Sequence, residues 1–313
     1  MDSQELVERL LRGERRALAR LLTRVEDGSA ERLREVVRLL HPHTGNAHLI
    51  GLTGSPGVGK STLTSALVGQ WRSRGKRVAV LAVDPTSPFS GGALLGDRVR
   101  MQDHALDEGV FIRSMASRGH LGGLSWATPQ ALLVLDAAGF DVIIVETVGV
   151  GQAEVEIASA ADTTIVTVAP GMGDAIQAAK AGILEIADVF VVIKADREGA
   201  HRSVSELREM QKLGHGEWLA PILKTVAARD EGIAELADAV ERHAKWLDEG
   251  DRRGSRRLVR ARVQIRELAL GEVRERFAEL GEGELVERLA EAVARRETDP
   301  YSAADELVAS LET

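Results

Sequence analysis

The stretch Gly54-Ser55-Pro56-Gly57-Val58-Gly59-Lys60-Ser61 constrains the fold of this chain more than any other. It fits the pattern G-x-x-x-x-G-K-[ST], a glycine-rich turn that joins a strand to a helix. The surroundings agree. Leu49-Ile50-Gly51-Leu52 is an apolar run suited to a buried strand, and Ser61-Thr62-Leu63-Thr64-Ser65-Ala66-Leu67-Val68 reads as the helix that follows. Glycines let backbone N–H groups turn inward on a phosphate chain, and the helix N-terminus adds the positive end of its dipole. Gly54, Ser55, Pro56, Gly57, Val58, Gly59, Lys60, Ser61 and Thr62 are therefore the expected phosphate-binding set. Lys60 is placed to reach the β- and γ-phosphates, and the Ser61 hydroxyl to hold Mg²⁺.

Such a loop needs a sheet behind it, and the pattern supplies one. From residue 46 to 248, strand-like and helix-like stretches alternate, the signature of a parallel sheet with covering helices. The expected strands are 48–53, 77–83, 110–113, 141–146, 163–169, 188–194 and 220–226, mostly continuous Val/Ile/Leu runs suited to burial on both faces. Residues 1–45 read as an N-terminal helical extension, with Leu6, Leu10, Leu18, Leu21, Leu22 and Val25 at helical spacing, packed as a cap on the main domain. His41-Pro42-His43 ends that region and reads as a plain loop, since no third ligand accompanies the two histidines. Residues 249–313 are a helical arm. Arg252, Arg253, Arg256, Arg257, Arg260 and Arg262 stud its start, but Glu267, Glu272, Glu275 and Glu279 interleave. A solvated or dimer-forming face is the better reading than a nucleic-acid one. Asp299-Pro300-Tyr301 starts a last helix, with proline where its missing N–H costs nothing.

In parallel sheets, ligands bind beyond the carboxyl ends of the strands, and polar residues cluster there. Asp84 follows the second strand, ahead of two prolines and Gly91-Gly92, and is placed to hold Mg²⁺ directly or through water; Asp97 is a second candidate for the same ion. Arg118-Gly119-His120-Leu121-Gly122-Gly123 follows the third strand. Glu146-Thr147-Val148-Gly149-Val150-Gly151-Gln152 follows the fourth, where many nucleotide hydrolases carry Asp-x-x-Gly. Glu146 is one methylene longer than Asp and suits a water-mediated metal contact, while Gly149 keeps the N–H that meets a γ-phosphate. Lys60, Glu146 and Gly149 are the expected catalytic set, with Gln152 or Glu154 as candidates to orient water. Lys194-Ala195-Asp196 matches the end of the guanine-reading pattern Asn-Lys-x-Asp, but Ile193 stands where the Asn would be. Val226 and Ala227 end the last strand where a backbone N–H meets the guanine O6.

Composition narrows the class further. Net charge is −8 with pI about 5.6 over 313 residues, which argues against a general nucleic-acid or anionic-membrane binder. Hydrophobic residues are 44% but aromatics only 3%, so the core must be built from Leu, Val, Ile and Ala. There is no cysteine, which excludes disulfides and thiolate metal sites. No run of 18 apolar residues and no secretory pattern at the start point to a cytoplasmic protein that spans no membrane.

Together these residues resemble the methylmalonyl-CoA mutase-associated GTPases, the MeaB/ArgK family. The resemblance rests on Gly54–Ser61, Asp84-Pro85 with Gly91-Gly92 and Leu95-Gly96-Asp97, Arg118–Gly123, Glu146–Gln152, Pro170-Gly171, Lys194–Asp196 and the closing Asp299-Pro300-Tyr301. It implies an α/β P-loop NTPase with a C-terminal dimerisation arm. Such a protein would be a homodimeric GTPase using GTP/GDP and Mg²⁺, and a chaperone for adenosylcobalamin-dependent acyl-CoA mutases that gates cofactor loading and protects or reactivates the mutase. By position, Lys60, Ser61, Asp84, Asp97 and Glu146 would form the phosphate and metal site, and Lys194 and Asp196 the base site. The segment around Pro170–Lys180 would be a switch facing the partner. The alternative is a P-loop kinase passing the γ-phosphate to a small molecule or transport protein. A metal-delivery GTPase would need Cys/His clusters, which eight scattered histidines do not provide.

Overall fold

The computed structural model describes residues 2–27, 30–84, 101–104, 106–116, 127–147, 159–171, 186–212, 217–281 and 284–310. Three helices come first: α1 (Ser3–Leu11), α2 (Arg15–Asp27) and α3 (Ala30–Leu40). Seven strands then alternate with helices: β1 (His48–Gly54), α4 (Lys60–Ser73), β2 (Val78–Asp84), β3 (Val110–Ala116), α5 (Thr128–Ala137), β4 (Val142–Thr147), β5 (Thr163–Val168), β6 (Val189–Ile193), α6 (Ala200–Gln211), β7 (Ile222–Thr225) and α7 (Ile233–Asp248). Three helices close the chain: α8 (Arg252–Gly281), α9 (Glu284–Ala294) and α10 (Pro300–Ala309). All seven expected strands form.

The strands make one sheet in the order β3-β2-β4-β1-β5-β6-β7, and every ladder is parallel. Period-two alternation sorts the apolar runs onto two faces. Ala79, Leu81, Val83, Phe111, Ile143 and Val145 meet Leu10, Leu21, Leu22, Val36 and Leu40 of the first three helices, together with Leu135 of α5. Val80, Ile144, Ile165 and Val191 point the other way, against Leu63 and Leu67 of α4 and Leu236 and Val240 of α7. Phe190 and Val192 pack on Val204 and Leu207 of α6. The N-terminal helices thus share a core with the sheet, and the Arg113–Glu26 ion pair adds a partly buried link.

The chain divides into two compact units, 1–252 and 253–313. In the second, Asp299 caps α10 by accepting from Tyr301 N at 2.9 Å and Ser302 N at 3.1 Å, with Pro300 in the first turn. Along α8, Leu258, Val259, Ile265 and Leu268 are 48–68% exposed. Among the described residues, no helix is long and apolar enough to cross a membrane.

Candidate functional site

β1 lies at the centre of the sheet, between β4 and β5, and delivers the phosphate loop to its carboxyl edge. Gly54 ends the strand at φ +140°, where a Cβ would lie 2.2 Å from Thr167 Oγ1 and 2.4 Å from Thr167 O of β5. Only glycine lets the chain leave the sheet here. Thr167 Oγ1 also donates to Thr53 O at 2.9 Å, pinning the two strand ends together. Val58 is buried and anchors the loop into the core beneath α4. Gly59 is the N-cap of α4, and the first-turn N–H groups of a helix have no intrahelical acceptor, which is what an anion site needs.

Two side chains at the start of α4 are buried in this edge. Lys60, 6% exposed, donates from Nζ to Gly54 O at 2.7 Å and to Ser55 O at 3.0 Å, so its ammonium spans the loop it serves. Ser61 donates from Oγ to Glu146 Oε1 at 2.7 Å. The other oxygen of that carboxylate accepts from Thr64 Oγ1 at 3.0 Å. Register explains the meeting: Glu146 of β4 pairs with Leu52 on one side and Ala82 on the other, two residues before Gly54 and Asp84 respectively. Glu146 is 5% exposed, and a carboxylate so buried requires donors of this kind. The sequence pattern points to Ser61 and Glu146, and the fold adds Thr64 to them. The signal for Thr64 was present: Ser61-x-x-Thr64 puts two hydroxyls on one face of a helix.

Asp84 closes β2 at the same carboxyl edge. Asp97 and Gly149 lie outside the described residues, as do the loops at 85–100 and 117–126, Gln152, Glu154 and the part of the 170–180 segment beyond Gly171. His41 and His43 form an exposed single turn. Among the described residues, no group of three or more His, Asp or Glu could hold a metal ion by itself.

On the far side of the loop, β6 ends in Ile193, and Lys194 follows it. Lys194 has φ +51°, a left-handed conformation uncommon outside glycine, and the turn it makes brings Ala195 N to Thr225 O at 3.1 Å. Measured from a Cβ built at Gly59, Lys194 Cε is 3.5 Å away and Ile193 Cδ1 is 3.6 Å away. Ile193 is 3% exposed and belongs to the same apolar cluster as Val58. The link between this turn and the phosphate loop is therefore apolar packing, where an Asn would have made hydrogen bonds. Asp196 is exposed and lies 3.6 Å from Arg229 Nη1. Val226 N donates to Glu231 O at 3.0 Å, so of Val226 and Ala227 only Ala227 keeps an amide outside that bridge.

A phosphate loop on the central strand of a parallel sheet, with a lysine and a hydroxyl at the head of its helix and a buried carboxylate behind them, defines a P-loop nucleotide hydrolase. A family model described as Methylmalonyl Co-A mutase-associated GTPase MeaB matches residues 18–282. The chain belongs to that family and is a P-loop GTPase that binds guanine nucleotide. It is 48% identical over 312 residues to a protein of Pyrococcus abyssi, covering 98% of this chain and 96% of that one. It is 41% identical to the GTPase ArgK of Escherichia coli over 75% of this chain and 74% of that one. Among solved structures it resembles a crystal structure described as LAO/AO transport system kinase, with TM-score 0.72, 28% identity, and coverage of 99% of this chain and 98% of that one.

Proposed function

We propose that this GTPase is a nucleotide-gated chaperone for an adenosylcobalamin-dependent acyl-CoA mutase of the methylmalonyl-CoA type, gating cofactor loading and protecting or reactivating the mutase. The family's association with methylmalonyl-CoA mutase supports the partner class. The observation that carries the gating is the buried Glu146 carboxylate. It ties the end of β4 to Ser61 and Thr64 on the phosphate-loop helix, so the chain that continues through Gly149 starts at the phosphate end. A loop ordered by a γ-phosphate and released on hydrolysis is a common switch.

In this reading Lys60 turns its ammonium from the loop carbonyls to the β- and γ-phosphates, and the N–H groups from Gly54 to Thr62 cradle the chain. The donor set fits Mg²⁺, a hard ion that takes oxygen ligands and keeps several waters: Ser61 would ligate it, with Asp84, Asp97 and Glu146 holding its shell. Mg²⁺ would offset the charge that develops between the β- and γ-phosphates. Lys194 covers the base and Asp196 accepts from the guanine N1 and N2 groups. The exposed apolar side chains of α8 support a homodimer through residues 249–313, with 1–45 as a cap and 46–248 as the GTPase domain. The partners include neither nucleic acid nor membrane, and the protein works in the cytoplasm.

The test is a pull-down from the native host with GTP, GDP and a non-hydrolysable GTP analogue, paired with γ-labelled GTP. Nucleotide-dependent recovery of a cobalamin mutase, with label released only as free phosphate, is the expected result. Label transferred to an acceptor, with no mutase recovered, would replace this reading with a kinase.

A further inference from the structure

Asp196 carries the base reading in this chain, and nothing at position 193 can aim it. Ile193 sets the spacing between the base turn and the phosphate loop, but apolar packing is non-directional and does not orient a carboxylate. The turn after β7 supplies a charged contact from a fixed position. Val226 and Glu231 exchange two backbone hydrogen bonds, at 3.0 and 3.3 Å, and Arg229 N donates to Val226 O at 2.9 Å. Asp230 takes φ +55° to close the turn. Gly232 follows at φ +75°, where a Cβ would lie 2.2 Å from Lys224 O, so the chain doubles back hard against β7.

This fixed turn holds Arg229 from one side and points it at Asp196 from the other. Arg229 Nε donates to Glu231 Oε1 at 2.8 Å and Nη2 to Oε2 at 3.3 Å. Its Nη1 is 3.6 Å from Asp196 Oδ2. That separation is an ion pair rather than a hydrogen bond, so it restrains the carboxylate while leaving its lone pairs for a ligand. Glu231 offsets the guanidinium charge, so the pair orients Asp196 without presenting a bare cation to the base.

We propose that Arg229 is the positioning residue for Asp196, setting guanine selectivity in a chain whose position 193 makes no polar contact. The inference rests on the base-site reading above. Both side chains are largely exposed, so the ion pair contributes little to folding and its effect should appear in base recognition.

The experiment is calorimetric titration of the intact protein with GDP, ADP and XDP. The variants are Arg229→Ala, Arg229→Lys, Asp196→Asn and the Asp196→Asn/Arg229→Ala double. Arg229→Ala should weaken GDP by about two- to fivefold, the range of an exposed ion pair, with ADP affinity and thermal midpoint unchanged. Arg229→Lys should restore most of the loss. Asp196→Asn should lose GDP and gain XDP, because its amide can donate to the xanthine C2 carbonyl, and adding Arg229→Ala should then leave XDP unaffected. An unchanged GDP affinity in Arg229→Ala, or equal losses for GDP, ADP and XDP, overturns the inference while the base site stands. No base switch in Asp196→Asn removes the base-site reading, and the inference with it.

Discussion

Replacing Glu146 by Gln separates metal holding from structural support at the phosphate end. The carboxylate is 5% exposed and accepts from Ser61 Oγ at 2.7 Å and Thr64 Oγ1 at 3.0 Å. Hydrogen bonds to a charged acceptor contribute about 1.5–3 kcal/mol each, but the amide oxygen keeps one of them and a rotated hydroxyl can accept from the new NH₂. Against that loss, neutralising a buried carboxylate removes a desolvation penalty of several kcal/mol. The two effects offset, and stability without nucleotide should stay within about 1–2 kcal/mol of the parent. Nucleotide binding should respond differently. A unit charge pair about 4 Å apart is worth about 1 kcal/mol even in bulk water, and a divalent ion doubles it to about 2 kcal/mol, or about thirtyfold in Kd. Titration with GDP in Mg²⁺ and again in EDTA, beside thermal unfolding, reads both effects. The weakening should appear in Mg²⁺ and vanish in EDTA. An equal loss in EDTA, or a collapsed thermal midpoint, would refute the reasoning and make Glu146 a purely structural clamp.

Four other perturbations have defined outcomes. Gly54→Ala drives a Cβ into Thr167 O and should cost about 2–5 kcal/mol in denaturant unfolding; because that oxygen is backbone, Thr167→Ser should not rescue it. Asp136→Ala should cost about 2–4 kcal/mol, since the carboxylate accepts from Gly45, Asn46 and Ala47 N at 2.5, 3.1 and 2.9 Å; a loss below about 0.5 kcal/mol would show that water replaces it. Ile193→Asn should tighten GDP while lowering stability by about 1–3 kcal/mol, because it trades core packing for a polar tether; unchanged GDP affinity would mean that the base turn has settled into another arrangement. Asp107 is held below the ordinary aspartate value of 3.8 by the Arg72 guanidinium and then by Gly109 N. A depressed folded pKa adds stability above the unfolded value that is lost as pH falls through the folded one. Asp107→Asn should therefore lower the thermal midpoint at pH 7, with the gap to the parent starting to close as pH falls past the ordinary value of 3.8 and vanishing only below the depressed folded value.

Much of this was legible in the residues. The seven strands announced themselves because parallel strands buried on both faces need unbroken apolar runs, and the phosphate loop because its glycines and lysine allow little else. Less legible were contacts that only register creates. Nothing in the sequence places Thr167 against Gly54, since the β1–β5 pairing that joins them spans more than a hundred residues. Thr64 looked like one more helix residue until β4 brought Glu146 beneath it. Arg229 carries no signal in the sequence, because the turn that aims it depends on a backbone bridge between Val226 and Glu231.

The crowding of Gly54 by Thr167 has a mechanical consequence. Thr167 is the penultimate residue of β5 and lies three residues ahead of Pro170. A protein gripping the chain at Pro170–Gly171 pulls on a short, stiff strand end whose hydroxyl is hooked to Thr53 O and whose backbone abuts the start of the phosphate loop. Force applied there would reach the phosphate loop along a lever of a few residues.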